Sequence, residues 1–71
     1  MPGGENGYEV VIDVTGERWR VLIRDSEGVE VSERSCRDAN EARTYASTVR
    51  QHIYWLSASK FREYYRLPEP A

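Results

Sequence analysis

The 71-residue sequence has little of what usually stabilises very small domains. Its only cysteine is Cys36, which excludes an intrachain disulfide, and its only histidine is His52, which excludes a Cys/His zinc cluster. Chains shorter than roughly 80 residues usually need a disulfide, a metal or a partner chain. We therefore expect a homodimer without cofactors. A lone cysteine also favours a reducing location, the cytoplasm, over secretion.

Long apolar segments are missing as well. The aliphatic runs at 10–12 and 21–23 are three residues each, whereas a membrane-spanning helix needs about 20 apolar residues. The net charge is −2, whereas a protein that binds nucleic acid by itself is usually basic. We expect neither membrane insertion nor specific binding of nucleic acid.

The charges that are present are distributed unevenly. Residues 1–33 contain three basic and eight acidic side chains, a net charge of −5, and residues 34–71 contain seven basic and four acidic ones, a net charge of +3. Nine of the ten basic residues are arginines. Because the guanidinium group makes planar, bidentate contacts, it suits interfaces with carboxylates or phosphates.

Three segments alternate apolar and polar residues, as half-buried strands do. An extended strand places successive side chains on opposite faces, so each segment would present one apolar face to a core. The segments are 8–14, 19–24 and Val29 to about Arg34, with turns at 15–18 and 25–28.

The strand register follows from matching the faces, because a slip of one residue turns every side chain over. If Val14 pairs with Trp19, apolar residues oppose each other on one face and two opposite-charge pairs form on the other. In the second turn, Gly28 would take the left-handed position of a bulged hairpin. The predicted pairs are Val10–Ile23, Ile12–Val21, Val11–Leu22, Asp13–Arg20, Glu9–Arg24, Arg24–Glu30 and Ile23–Val31.

A helix begins after the strands. Asp38 is a suitable N-cap, and Glu41 three residues later completes the pattern of a capping box. The fold class is therefore α+β, a three-stranded antiparallel meander covered by one C-terminal helix that either runs to about Leu67 or kinks near residue 57. The residues that would cover the sheet are Ala42, Tyr45, Ala46, Val49, Ile53 and Leu56. The expected organisation is a flexible tail 1–7, a single β-β-β-α domain 8–67 and a C-terminal tail 68–71.

A second stripe of aromatic side chains lies away from this face on a continuous helix. Large exposed apolar stripes usually mark interaction surfaces. We favour an interface with a second copy or another protein. The open alternative is that the chain turns near Ser57 and a second short helix folds back, which buries these rings in the domain's own core. The predicted interface residues are Arg43, Arg50, Tyr54, Trp55, Phe61 and Tyr65.

Motifs for catalysis are missing: the sequence has no glycine-rich phosphate loop, no nucleophile elbow and no histidine pair. Cys36 directly precedes the predicted helix start, where a thiolate would be favoured. His52 lies sixteen residues further, roughly 20 Å along a helix, too far to form a catalytic dyad. We expect no enzyme activity, with Cys36 as a structural residue and His52 as a half-buried packing residue.

Residues 8–11, 16–23 and 27–33, followed by a helix with Ala42 and Val49, resemble one repeat of the YegP-like family of small bacterial and archaeal proteins. The resemblance covers about residues 8–52. Glu27 departs from the asparagine that is usual there, Ser35-Cys36 replaces a usual aromatic residue, and 54–67 lies outside the family pattern. The resemblance implies a β-β-β-α unit that often occurs in pairs, hence a homodimer, and no established catalytic activity.

Two other functions remain open. The element order is also similar to the arm-type DNA-binding domain of phage integrases, which lays its sheet on DNA. That similarity implies DNA contacts by four arginines: Arg18, Arg20, Arg24 and Arg34. Acidic residues on the same sheet face would repel phosphate: Glu9, Asp13 and Glu30. A short acidic chain with an apolar stripe also fits a phage-type inhibitor of a host defence complex, such as an anti-CRISPR protein. The interpretation we favour is a small homodimeric protein-interaction module. Such a module would suit a regulatory role.

Overall fold

The structure, a computed structural model, describes residues 6–68. Three strands form an antiparallel sheet in the order β1-β2-β3, and two helices follow. The predicted α+β class and the meander are confirmed. The elements are β1 (Glu9–Thr15), β2 (Arg18–Arg24), β3 (Glu30–Cys36), α1 (Ala39–Trp55) and α2 (Ala58–Tyr65). Most of the predicted tails, 1–5 and 69–71, lies outside the described residues.

The register of β1 and β2 is the predicted one along its whole length, from Glu9 opposite Arg24 to Val14 opposite Trp19. The strands are joined by a two-residue turn in which Gly16 has a φ of 62° and Glu17 has no positive φ. Glycine at the first central position is typical of a type II′ turn, whose twist matches that of the flanking strands.

The pairing of β2 with β3 begins as predicted and then shifts by one residue. Arg24 lies opposite Glu30, but Ile23 lies opposite Ser32 because a bulge interrupts the ladder there. The predicted Ile23–Val31 pair is therefore wrong. Val31 is the extra residue, and its half-buried side chain packs on the core. Every later residue of β3 consequently faces the side of the sheet opposite to the predicted one.

Helix α1 begins as the sequence predicts. The Oδ1 atom of Asp38 accepts a hydrogen bond from the amide of Glu41 at 2.9 Å. The Glu41 carboxylate accepts one from the amide of Arg37 at 2.7 Å, one residue before the position that a capping box uses. The predicted face covers the sheet: Ala42, Ala46, Val49 and Ile53 are buried, and Tyr45 and Leu56 are partly buried against the core.

The chain turns after α1, so the helix is not continuous. Leu56 is extended, and the hydroxyl of Ser57 caps α2 by accepting a hydrogen bond from the amide of Lys60 at 3.3 Å. Helix α2 then folds back, and its Phe61 has no exposed surface. The Phe61 ring centroid lies 4.9 Å from that of Tyr8 and 4.8 Å from that of Tyr65. The turn thus closes the end of the sheet where β1 begins.

Asn6 joins the start of β1 to the end of α1. Its Oδ1 atom accepts a hydrogen bond from the amide of Tyr8 at 3.0 Å, and its side-chain amide donates to the carbonyl of Leu56 at 3.3 Å. Asn6 lies in the segment predicted to be a flexible tail. Its two contacts instead hold the first strand beside the turn between the helices.

Candidate functional site

Three aromatic side chains near the C-terminal end of the domain are mostly in contact with solvent: Trp55 is 75% exposed, Tyr64 is 63% exposed and Tyr54 is 53% exposed. We call them the exposed rings. Tyr54 and Trp55 end α1, whereas Tyr64 lies on α2 with its centroid 4.6 Å from that of His52. Sequence reasoning missed Tyr64 because a continuous helix was used to assign its direction, and α2 starts a new one at Ser57.

Two residues of the predicted interface pack inward: Phe61 is fully buried in the core, and Tyr65 is partly buried against it. Phe61 and Tyr65 were expected to project to solvent, and that expectation is wrong because the turn at Ser57 redirects them inward. The Tyr65 hydroxyl lies 2.6 Å from Nδ1 of His52, and burial raises the pKa of Tyr65 to about 12. His52 is partly buried, as predicted, and its contacts with Tyr64 and Tyr65 hold α2 against α1.

The remaining interface residues, Arg43 and Arg50, are exposed on α1. Neither forms a salt bridge with another residue in the range 6–68. They lie three residues before and four residues after Ala46, so all three share one side of the helix. Their positive charges are therefore available for a partner of opposite charge.

The sheet face opposite the helices, which we call the outer face, carries two salt bridges at Arg20. Nε of Arg20 donates to Oδ2 of Asp13 at 3.1 Å, and Nη1 donates to Oε2 of Glu33 at 2.7 Å. The hydrogen bond from Arg20 holds the pKa of Asp13 below its ordinary value, and the bonds to Glu33 and Asp13 raise the pKa of Arg20. The guanidinium of Arg20 is thus occupied by two carboxylates.

The four arginines proposed for DNA contact do not share a face. Arg34 lies opposite Val21 on the helix-facing side, where its guanidinium carbon is 4.6 Å from the centroid of the Tyr45 ring. Its assignment to the DNA-facing surface is wrong, because the bulge at Ile23 turns Arg34 inward and Glu33 outward. The pairs place three arginines, Arg18, Arg20 and Arg24, on the outer face with four acidic residues: Glu9, Asp13, Glu30 and Glu33.

Leu22 is a buried residue on this outer face, with only 4% of its surface exposed. It lies between Val11 of β1 and Glu33 of β3, and it is flanked along β2 by the partly buried Arg20 and Arg24. Arginine stems cover apolar surface while their charged ends stay in water. The predicted Val11–Leu22 pair therefore forms a small apolar strip beneath charged side chains.

Cys36 does not have the environment of a reactive thiolate. Desolvation, followed by the nearby charge of Glu41, raises its pKa, although the helix start was expected to favour the thiolate. Its thiol lies 3.9 Å from the carbonyl oxygen of Arg34. Within residues 6–68, no group of three or more His, Cys, Asp or Glu side chains is placed to hold a metal ion. Neither described helix has the length and apolar character to span a membrane.

The geometry thus offers two surfaces: the exposed rings near the turn between the helices, and the free arginines on α1. Comparison of the chain with protein-family models, with curated proteins and with solved structures gave no match.

Proposed function

We propose that this chain is a small, non-enzymatic protein-interaction module that forms a homodimer through the exposed rings. The observation that carries the proposal is the position of Tyr54, Trp55 and Tyr64, each more than half exposed although the same domain buries Phe61 and Tyr8 completely or nearly so. Aromatic side chains are enriched at protein–protein contacts relative to the rest of the surface.

A second copy of the chain is a suitable partner for the exposed rings because aromatic rings pack well against one another. They prefer offset-stacked or edge-to-face pairs, and a two-fold axis brings the same patch of each copy together. The resemblance to the YegP-like family, whose units often occur in pairs, agrees with this arrangement. A reducing cytoplasm suits the single thiol of Cys36.

The exposed area sets the strength of such a dimer. A fully buried aromatic side chain contributes about 150–250 Å², so the exposed parts of the three rings amount to roughly 400 Å² per copy. Two copies would bury at most about 800 Å² of ring surface, less than the roughly 1,200–2,000 Å² of a stable interface. We therefore expect a reversible dimer with a dissociation constant in the micromolar range or weaker.

The test is a double variant, Trp55→Ala with Tyr64→Ala, examined by light scattering and thermal unfolding. Both side chains are mostly exposed, so the variant should fold. It should be monomeric at concentrations where the parent protein is dimeric, and its Tm should not depend on concentration. Val14→Ala is the control, because Val14 is an exposed apolar residue on β1, away from the exposed rings. Equal masses for the parent and the double variant, or loss of the dimer in the control, would reject the proposal.

The other interpretations stay predictions. Membership of the YegP-like family and a phage-type inhibitor role are compatible with the same exposed rings. The integrase-arm role has little support, because Arg34 faces the helices and Arg20 is bound by Asp13 and Glu33.

A further inference from the structure

The free edge of β1 is a surface that contains none of the exposed rings. Among residues 6–68, β1 pairs with β2 only. Its sequence, EVVIDVT, contains no proline, lysine or glycine, and no bulge interrupts its pairing with β2. Its two charged residues, Glu9 and Asp13, lie opposite Arg24 and Arg20 on the outer face. Proteins usually protect an edge strand with prolines, lysines or bulges, so a long regular edge without them can accept another strand.

The hydrogen-bonding groups on this edge can be assigned from the turn. Thr15 and Arg18 flank a two-residue turn and form a hydrogen-bonded pair, and such pairs alternate along antiparallel strands. The backbone groups of Val10, Ile12 and Val14 consequently point away from β2. The same row continues to Tyr8, whose amide is already bound by Asn6. An added strand could therefore pair from Val10 to Val14.

Helix α1 carries two arginines, Arg43 and Arg50, that form no salt bridge within residues 6–68. Ala46 belongs to a core cluster against which Val10 and Ile12 of β1 pack, and α1 lies against β1 more extensively than against β3. Tyr45, the preceding residue, lies about 100° away around the helix and contacts Arg34 of β3. Arg43 and Arg50 flank Ala46 on the side of α1 that is turned away from Tyr45 and β3, so they lie on the β1 side of the helix.

We infer that the β1 edge and the two arginines together bind an extended acidic segment of another protein, added to the sheet as a fourth strand. Strand addition obtains affinity from backbone hydrogen bonds and specificity from alternate side chains. Side chains on the helix side of the added strand would be about 7 Å apart, and Arg43 and Arg50 are about 10 Å apart along α1. The long arginine stems can span the difference of about 3 Å, so acidic residues at alternate positions can meet both arginines.

The charges argue against a second copy as the added strand. Antiparallel pairing of β1 with itself keeps apolar residues on one face only if it is centred on a residue such as Ile12. A two-fold axis there would bring Arg43 and Arg50 of both copies to the same side of the sheet, where like charges repel. An acidic strand instead neutralises the two arginines.

The inference is tested with synthetic peptides and the whole protein labelled with ¹⁵N. The probe is four repeats of Thr-Glu with blocked ends. One control replaces Glu by Lys, and the other has the same composition arranged as Thr-Thr-Glu-Glu. The probe should shift the amide signals of Val10, Ile12 and Val14 and slow their hydrogen exchange, and both controls should bind more weakly.

The matched protein variant is Arg43→Gln with Arg50→Gln, and Lys60→Gln on α2 is its control. Loss of two exposed ion pairs should weaken probe binding about tenfold, and the control should leave it unchanged. Equal binding of the lysine peptide, or signal changes confined to α2, would overturn the inference. So would slow exchange of Val10, Ile12 and Val14 that depends on protein concentration without peptide, since a second copy would then occupy the edge. The readouts are the β1 amides and the two arginines, which the dimer test does not alter, so failure of the dimer proposal leaves this test valid.

Discussion

Replacing Phe61 with alanine tests the turn that redirects α2. Phe61 is fully buried and contacts the rings of Tyr8 and Tyr65. Truncating a buried phenylalanine typically costs about 3–5 kcal/mol. Stability of about 0.05–0.15 kcal/mol per residue gives the described domain a total of roughly 3–9 kcal/mol. The substitution should therefore remove between a third and all of the free energy of unfolding.

Urea unfolding followed by circular dichroism measures this loss. With a slope near 1 kcal/mol per molar urea for a domain of this size, the midpoint should fall by about 3 M or more. Phe61→Leu keeps much of the side-chain volume and should lower the stability by about 1–1.5 kcal/mol, which gives a readable value if the alanine variant is unfolded. Lys60→Ala, on the exposed side of α2, should change the stability by less than about 0.5 kcal/mol.

The result that refutes the reasoning is a small effect of Phe61→Ala, equal to that of Lys60→Ala. Phe61 would then be on the surface, as the continuous-helix interpretation of the sequence implied. Helix α2 would not close the end of the sheet, and the assignment of the exposed rings would have to be revised because Tyr64 owes its position to α2.

Two further predictions concern the same helix. Arg66 has left-handed backbone angles, φ 56° and ψ 47°, at the end of α2, so Arg66→Gly should raise the free energy of unfolding by about 0.5–1 kcal/mol; an unchanged urea midpoint would contradict this. The pKa of Tyr65 is about 12 in the folded state against 10 ordinarily, so folding retains its proton and stability should be lost as the pH rises from about 10 to about 12. Tyr65→Phe should show a flatter dependence of Tm on pH in that range, and equal slopes would show that Tyr65 does not titrate in this way.

The β1–β2 hairpin was predictable from the sequence because several independent features select one register. Apolar residues face each other on one side, and on the other side Asp13 meets Arg20 and Glu9 meets Arg24. A slip of one residue would lose all of these pairs together. The start of α1 was predictable for a similar reason, since Asp38 has the side chain that caps a helix.

The bulge in β3 was not predictable because it depends on local backbone geometry in the second turn. The carboxylate of Asp25 accepts hydrogen bonds from the amides of Glu27 and Val29, and this fixes where β3 begins. One extra residue then exchanges the faces of Glu33 and Arg34. The outer face consequently gains Glu33, which binds Arg20, and loses Arg34. This makes the outer face more acidic than the sequence predicted.

The sequence left the direction of α2 open. A continuous helix to about Leu67 and a second helix after a turn at Ser57 both satisfy the helical periodicity. Ser57 can either continue a helix or cap a new one, and its hydroxyl decides between them by accepting from the amide of Lys60. The gain from burying Phe61 against Tyr8 depends on residues 53 positions apart. A contact at that separation cannot be read from local sequence patterns.

Sedimentation velocity of the unmodified protein over a wide concentration range tests the central claim, that the exposed rings hold two copies together. The chain has a mass of 8.3 kDa. We predict a weight-average mass that rises from that value towards twice that value within the micromolar to submillimolar range. A mass that stays at 8.3 kDa over the whole range would contradict the homodimer and leave Tyr54, Trp55 and Tyr64 as a surface for a different protein.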